Sequence, residues 1–469
     1  MTEPAWVAGV VVIPLVGALI AVLAGRRAAP IAVVTAVGAA VAAVALVRQV
    51  ARDGVVEHAI GGWAAPLGIA LRADGLSALF VAAVAVVGAA AIVYAVAHPG
   101  TPHRFHAAWL LGWAGLAALA VSADAFNLYV ALELLTLAGA TLVALSSEAA
   151  ALRAALRYIL LALAGSLAYL FGVVLLYAAH ATLELSALGA AVTPGPVTAV
   201  AIAAMVAGLA LKGALFPLHG WLPPAYAGAP AASAVVLAGL LGKASFLVLV
   251  RLWFEVVPPS LRPDAGLLLG LLGAAGALWG AVLALRQPRL RRLLAYSSVG
   301  QLGYLFLVFP LGTGPALAGA VYLVLAHAAA KAALFMAAGS IERACGSDEL
   351  GALRGLAPRM PLTFLTIGLA GLTLMGLPPS GGFVAKWLLL GASLETGQWW
   401  WAIVLVVGGF LAAAYVFRVL RLAFLPAAGA ATIARAPRGA ELPALALALV
   451  SLGLGLAAAP PLALLGAGP

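Results

Sequence analysis

Charge is what this sequence has least of. Of 469 residues, 9% are Asp, Glu, Lys or Arg and 65% are hydrophobic, where soluble domains run at about 25% charged and about 45–50% apolar. So little polar surface cannot cover a water-facing globule, which leaves a lipid-facing one. The fold class expected is an all-α, polytopic membrane protein. Cysteine is nearly absent as well. The single Cys345 excludes a disulfide framework, a structural zinc site and a thiolate-bound iron–sulfur cluster within the chain. No cofactor and no metal are therefore expected, and any redox chemistry belongs to a partner. The formal charge of +10 does not point to nucleic acid, because no basic run interleaves with aromatics.

What is present is apolar sequence in long blocks. A bilayer core of about 30 Å needs about 20 apolar helical residues. Such blocks fall near 5–24, 30–47, 75–97, 106–121, 125–145, 154–179, 198–218, 230–250, 265–285, 293–310, 316–341, 361–395, 400–424 and 441–465, fourteen in all. The first does not read as a cleaved signal, since Glu3 precedes it and Arg26 and Arg27 follow it. Loops after odd-numbered spans hold 16 arginines, and loops after even-numbered spans hold five: Arg48, Arg52, Arg72, Arg251 and Arg262. That bias puts both termini outside the cytoplasm of a cell inner (plasma) membrane.

Lysine is the scarcest base, 4 residues against 21 arginines. Lys212, Lys243, Lys331 and Lys386 all fall inside apolar blocks. The division reads as arginine for water-facing charge and lysine for buried bases, because a desolvated lysine can release its proton and an arginine cannot. Codon bias with four chance survivors is the plain alternative. Energy argues against it. Each ionisable group at mid-span costs about 2.5–3.5 kcal/mol, so the four lysines with Glu133 cost on the order of 12–18 kcal/mol before pairing, comparable to a whole domain's net stability.

Glu133, the carboxylate deepest in a span, needs a cation, and Lys212 in the seventh span is the candidate. Pro217, five residues beyond Lys212, breaks that helix, and irregular backbone at membrane depth survives only against protein or a watery cavity. The block 361–395 repeats the design with Pro378, Pro379, Gly381, Gly382 and Lys386. Paired broken helices five spans apart imply two inverted five-helix repeats around broken helices 7 and 12. The expected divisions are 1–105 (helices 1–3), 106–255 (helices 4–8), 262–425 (helices 9–13) and 440–469 (helix 14). His327 and Lys331 are i,i+4 on one helix face and titrate as a pair. Ser297, Ser298, Gln301 and Tyr304 form a polar stripe able to hold water, or helix-to-helix hydrogen bonds. His219 is either a cavity residue or a cap for freed backbone. Gly266, Gly270, Gly276 and Gly280 read as close-packing faces.

Four stretches carry a resemblance: Leu211-Lys-Gly-Ala-Leu-Phe-Pro-Leu-His-Gly-Trp-Leu-Pro-Pro224, Leu290-Arg-Arg-Leu-Leu-Ala-Tyr-Ser-Ser-Val-Gly-Gln-Leu-Gly-Tyr304, His327-Ala-Ala-Ala-Lys331, and Gly376-Leu-Pro-Pro-Ser-Gly-Gly-Phe-Val-Ala-Lys386. Together the sequence resembles the antiporter-like membrane subunits of respiratory complex I, a family that includes Mrp antiporter and membrane-bound hydrogenase subunits. The resemblance implies that Glu133 and Lys212 are the gating ion pair, Lys243 the connecting base, His327 and Lys331 the relay of the eleventh helix, and Lys386 the terminal lysine. Lysine rather than glutamate at 386 argues against the M-type. The chain ends soon after the fourteenth block, which argues against the L-type. An N-type or Mrp D-type subunit remains.

The function expected is proton translocation by a membrane subunit of a complex I-like NADH-quinone oxidoreductase or related assembly, a respiratory-chain translocase with no redox site of its own. Its partners would be other membrane subunits, the lipid bilayer and protons. An Mrp-type antiporter subunit exchanging sodium is the alternative. A hydrogenase-associated or non-conducting structural subunit is the third.

Overall fold

The computed structural model describes residues 6–63, 68–426 and 437–466. Both chain ends and Arg435, counted above for orientation, lie outside those residues. A backbone surrounded by lipid must bond to itself, so apolar sequence becomes helix. The elements in order are α1 (Trp6–Ala24), α2 (Ala28–Asp53), β1 (Val56–Ala59), β2 (Ala70–Ala73), α3 (Gly75–Ala97), α4 (Arg104–Val121), α5 (Ala125–Ala144), α6 (Ala149–His180), α7 (Leu185–Ala191), α8 (Pro196–Lys212), α9 (Leu222–Gly228), α10 (Ala231–Gly239) and α11 (Ala244–Arg251). Then follow α12 (Arg262–Arg286), α13 (Leu290–Leu305), α14 (Val308–Leu311), α15 (Gly314–Cys345), α16 (Pro361–Met375), α17 (Gly381–Glu395), α18 (Trp400–Phe424), α19 (Arg438–Leu456) and α20 (Ala459–Gly466). The two strands pair antiparallel, with Glu57 opposite Arg72.

Among the described residues, eleven helical segments are long and apolar enough to cross a membrane, fewer than the fourteen blocks read from the sequence. One of the eleven, Trp6–Asp53, runs α1 and α2 together through a single 3₁₀ turn at Gly25–Arg27. The blocks at 198–218 and 361–395 are interrupted, so their pieces, Pro196–Lys212, Pro361–Met375 and Gly381–Glu395, are too short to count singly.

Short polar side chains set where helices begin. Asp74 accepts from the Ser77 N–H at 2.9 Å, Asp124 from the Asn127 N–H at 2.8 Å and Ser380 from the Phe383 N–H at 3.2 Å, each satisfying an orphan donor worth about 1 kcal/mol. The interior is built on α10, α11, α13 and α15, whose residues are almost all buried, while α1, α2, α6 and α18 turn residues such as Leu23, Leu167 and Phe410 outward. In lipid that outward apolar face carries no penalty. The small-residue faces of α12 do pack closely: a Cβ at Gly280 would lie 2.4 Å from the Gly300 nitrogen of α13.

Three interruptions shape the centre. After α8 the chain passes through Ala214 at φ 53° and the cis Phe216–Pro217 bond before α9. After α16 it passes through Gly376 at φ 79° and the cis Pro378–Pro379 bond before α17. The third, between α10 and α11, has no proline. Leu240 leaves helical geometry there, and Lys243 sits in the 3₁₀ turn that follows.

The division of bases by type does not hold. Arg251 is 3% exposed and Arg291 is 7% exposed, and Arg251 lies inside the span Ala231–Val256 rather than in an outer loop. The carboxylate that answers Arg251 is Asp74, 3% exposed, which caps α3 at its start rather than lying within the span. Each buried arginine has its own counter-charge: Arg251 and Asp74 neutralise each other across 177 residues of sequence, and Arg291 bonds Glu342.

Candidate functional site

Lys212 ends α8, where the helix break frees backbone and opens room. Its Nζ donates to Thr136 Oγ1 at 2.8 Å, to the Ala162 carbonyl at 3.2 Å and to Ser166 Oγ. Glu133 Oε1 of α5 stands 3.6 Å away and takes no hydrogen bond. The pair is therefore in contact but not closed. A cavity of about 30 Å³ adjoins it, lined by Thr136, Tyr158, Lys212, Trp221 and Ser245 among others, enough for an ordered water with polar partners. Thr136 and Ser166 were not singled out from sequence. Thr136 had a signal, since it lies three residues from Glu133 on the same helix face; Ser166 had none.

Lys243 is 1% exposed and donates to the Ala238 carbonyl that the break in α10 frees. Its surroundings are apolar, with Phe80, Phe246, Val324 and Leu325 closing on it. On α15, Lys331 is fully buried and donates to the Leu294 carbonyl at 2.8 Å and to Ser297 Oγ. His327, one turn earlier, leaves Nε2 buried and unpartnered and feels the charges of Lys243, Lys331 and Lys386. Lys331 feels Lys243.

Lys386 reaches back from α17 across the second break. It donates to the Leu374 carbonyl at 2.9 Å and the Met375 carbonyl at 3.3 Å, two of the acceptors orphaned where α16 ends. The ring of Tyr304 lies 4.9 Å below Nζ, within cation–π range. Gly376 is required here twice over: its φ of 79° is a left-handed conformation, and a Cβ would meet Lys386 Cδ at 2.5 Å.

The supporting residues divide. Pro217, Pro378 and Pro379 sit in the breaks as expected. Gln301 Nε2 donates to the same Leu374 carbonyl at 3.1 Å and so touches the Lys386 site. Ser298 instead bonds within its own helix to the Leu294 carbonyl at 3.1 Å; its neighbour Ser297 is the one that meets a lysine. His219 is half-buried, stacked on Phe216 with ring centres 5.6 Å apart and Nδ1 unpartnered; no hydrogen bond or ion pair among the described residues ties it to the lysines.

A second charged cluster was not anticipated. Arg251 grips Asp74 with two bonds of 2.9 Å, Glu255 with one of 3.0 Å and Ser77 Oγ with one of 2.6 Å. Arg72 closes the set on Glu255 at 2.7 Å. Burial alone would raise the Asp74 carboxyl, but the Arg251 guanidinium and its bonds, the Ser77 N–H and Arg72 outweigh it and bring the pKa down to about 2. These residues mark a neutralised anchor between α3 and α11 rather than a free charge.

A polar cavity of about 740 Å³ opens between the α9–α10 junction and the end of α15, bordered by Glu148, Arg289, Arg291, Glu342, Arg343 and Asp348. Arg291 bridges Glu342 at 3.2 Å. Burial, with Arg343 and Arg291 nearby, lowers the pKa of His98 on its rim to about 4, so this imidazole is neutral at pH 7.

A multi-span helical bundle with broken helices and several buried bases in its interior defines a polytopic membrane protein of the antiporter-like class. The chain belongs to the family described as NADH:quinone oxidoreductase/Mrp antiporter, TM, which matches residues 122–412. It is 38% identical over 474 residues to the NADH-quinone oxidoreductase subunit N of Desulforudis audaxviator, covering 95% of this chain and 93% of that one. Among solved structures, it is similar to a chain of the membrane-bound sulfane sulfur reductase, an archaeal respiratory membrane complex, at TM-score 0.92 and 27% identity over 98% of this chain and 96% of that one. It is also similar to a chain of the Mrp complex from Dietzia sp., at TM-score 0.90 and 29% identity over 100% of this chain and 97% of that one.

Proposed function

We propose that this chain is the proton-translocating membrane subunit of a complex I-like quinone oxidoreductase, with protons passing from the Glu133–Lys212 pair through Lys243, then His327 and Lys331, to Lys386. The observation that carries the reading is the charge balance of the row. Four buried lysines share one carboxylate, so they cannot all be charged at once in a low-dielectric interior. Sites that hold a proton in turn, each kept from its neighbour by repulsion, suit stepwise transfer. The near relation to a subunit N supports the choice of assembly.

The row crosses what we read as two inverted repeats, 106–255 and 262–425, with 1–105 and 440–469 as flanking helices. Lys212 and Lys386 are equivalent in the two repeats, each tied to a proline-containing break. Both termini face away from the cytoplasm of the plasma membrane in this reading. Moving one proton against 100 mV takes about 2.3 kcal/mol. A partner subunit's reaction must supply it, since this chain carries one thiol and no redox group is expected in it.

Transport in inverted membrane vesicles tests the reading. Lys212→Ala should abolish coupled acidification while the subunit remains in its complex; undiminished pumping by assembled Lys212→Ala would refute the relay. A second reading is favoured by the full-length match to a chain of an Mrp complex: exchange of protons for sodium. Dependence of the proton signal on added sodium would select it. A non-conducting structural subunit is the outcome if Glu133→Gln leaves transport unchanged in an intact assembly.

A further inference from the structure

α12 and α18 are both long and apolar enough to cross a membrane, and they end close together, because Arg418 near the end of α18 donates to the Leu285 carbonyl at the end of α12. Beside that junction lies a cavity of about 1110 Å³, bounded on its third side by the 3₁₀ turn Leu350–Leu353 on the way to α16. Its size is that of a ligand pocket, for which about 300–1,000 Å³ is usual. The lining is mixed. Phe417 and Phe424 stand 57% and 72% exposed on it, and Arg354, Arg418 and Arg421 charge it. Phe417, Arg421 and Phe424 recur at i, i+4 and i+7, so two rings and a guanidinium share one face of α18.

The charge around this cavity is unbalanced. Three guanidiniums line it with one carboxylate, the exposed Glu349. No carboxylate among the described residues lies within ion-pair distance of Arg354, Arg418 or Arg421, and residues 427–436, next along the chain, add Arg435 and no acid. The buried Arg251 and Arg291, by contrast, each meet a carboxylate. Arginines that only orient a membrane protein or snorkel to water need no fixed geometry, but Arg418 has one. Its Nη1 is held by the carbonyls of Leu285 and Gln287, the second at 3.2 Å, acceptors left over where α12 ends. Of the five N–H donors in a guanidinium, those on Nε and Nη2 remain without a partner among the described residues, and that edge can grip two oxygens of one phosphate. The carbonyl end of a helix repels anions, and here Arg418 covers it.

We propose that this cavity binds the headgroup of an anionic glycerophospholipid, with Arg418 as the fixed donor to the phosphate, Arg354 and Arg421 as flanking cations, and Phe417 and Phe424 against the acyl chains. Basic pockets between membrane helices hold acidic headgroups by this combination of charge and depth. A free phosphate would use the arginines and leave both rings bare, so the rings on the face that carries Arg421 favour the diacyl molecule. Glu349 opposes the ligand and weakens the site. The bound headgroup spans the end of α18 and the 3₁₀ turn Leu350–Leu353. The Ala357 N–H on the Ala423 carbonyl, at 3.2 Å, already joins the same two segments, and the lipid braces that joint on the approach to α16.

The lipid site is independent of the proton relay, and its test reads lipid rather than transport. The intact assembly, purified in detergent and stripped of loosely held lipid, is titrated with phosphatidylglycerol or phosphatidylcholine, and the lipid kept on this chain is counted by native mass spectrometry. Phosphatidylglycerol should be retained and the zwitterionic lipid should not. Arg354→Gln and Arg421→Gln, both at exposed positions, should each weaken retention about fivefold, the worth of one arginine beside acidic lipid. Arg418→Gln should weaken it further; where that variant does not accumulate, the two exposed ones decide. Glu349→Gln should strengthen retention, a gain that loosened packing does not produce. Equal retention of both lipids, or unchanged retention in the Arg354→Gln, Arg421→Gln double variant, overturns the site and leaves ordinary boundary lipid. Displacement of phosphatidylglycerol by inorganic phosphate at equal concentration makes it an anion site without a lipid and also overturns the proposal. So does a photo-crosslinking side chain placed at position 417 that captures a neighbouring subunit and no lipid.

Discussion

Glu133 Oε1 lies 3.6 Å from Lys212 Nζ, while Thr136 Oγ1 lies 2.8 Å from it. The ammonium is thus held by hydroxyls and a carbonyl, with its carboxylate one step outside. Such a pair can close or open by a small side-chain movement, and the adjoining cavity has room for a water beside Lys212. Glu133→Gln removes the charge and preserves the shape. We expect at least a tenfold loss of proton transport in vesicles, about 1.4 kcal/mol of coupling, at unchanged subunit abundance.

Thr136→Val separates the hydroxyl from the charge. It leaves one Lys212 proton without its short acceptor, at a cost of about 1–3 kcal/mol. The expected result is a lower thermal midpoint in detergent and a transport loss smaller than that of Glu133→Gln. A larger loss from Thr136→Val would mean that the hydroxyl, not the carboxylate, governs Lys212.

Gly376→Ala forces a side chain into a left-handed backbone position, roughly 1–2 kcal/mol, and pushes on Lys386 Cδ. Stability should fall modestly, and transport should fall as far as in Lys386→Ala, because the lysine loses its seat on the ends of α16. Gly391→Ala, which meets nothing within 4 Å, is the control and should be neutral in both assays.

Asp74→Asn leaves Arg251 buried without its main counter-charge. Breaking a buried pair this way costs on the order of 3–5 kcal/mol, so we expect a large drop in the unfolding midpoint with or without any transport assay. The same pair sets a pH dependence. Asp74 has its pKa lowered to about 2, so its stabilisation is complete above its ordinary value near 4 and is lost as pH falls through 2. Unfolding midpoints measured from pH 5 downward should decline in this window for the natural chain and show a shallower decline in Asp74→Asn.

Much of this was legible in the sequence because the membrane makes composition so informative. Helix positions followed from apolar blocks, and the two proline breaks followed from covalent chemistry that no context overrides. Lys212, Lys243, His327, Lys331 and Lys386 were visible because charge is rare. The break at Lys243 was not, since no proline or asparagine marks it and only packing holds Leu240 out of helical geometry. Ser166 was equally silent, and Thr136 nearly so: hydroxyls are cheap enough in a helix to occur anywhere, and their meaning depends on what stands opposite.

The sequence by itself determined that the chain spans a membrane, where most of its helices fall and that its four lysines lie in the interior, because these depend on transfer energies of single residues. Only the tertiary structure decided which charges meet. Arg251 reads as a loop arginine until α3 brings Asp74 to it, and Lys386 reads as an isolated cation until the end of α16 offers two carbonyls and Tyr304 a ring. Pairing across many tens of residues is a property of packing, and no local pattern encodes it.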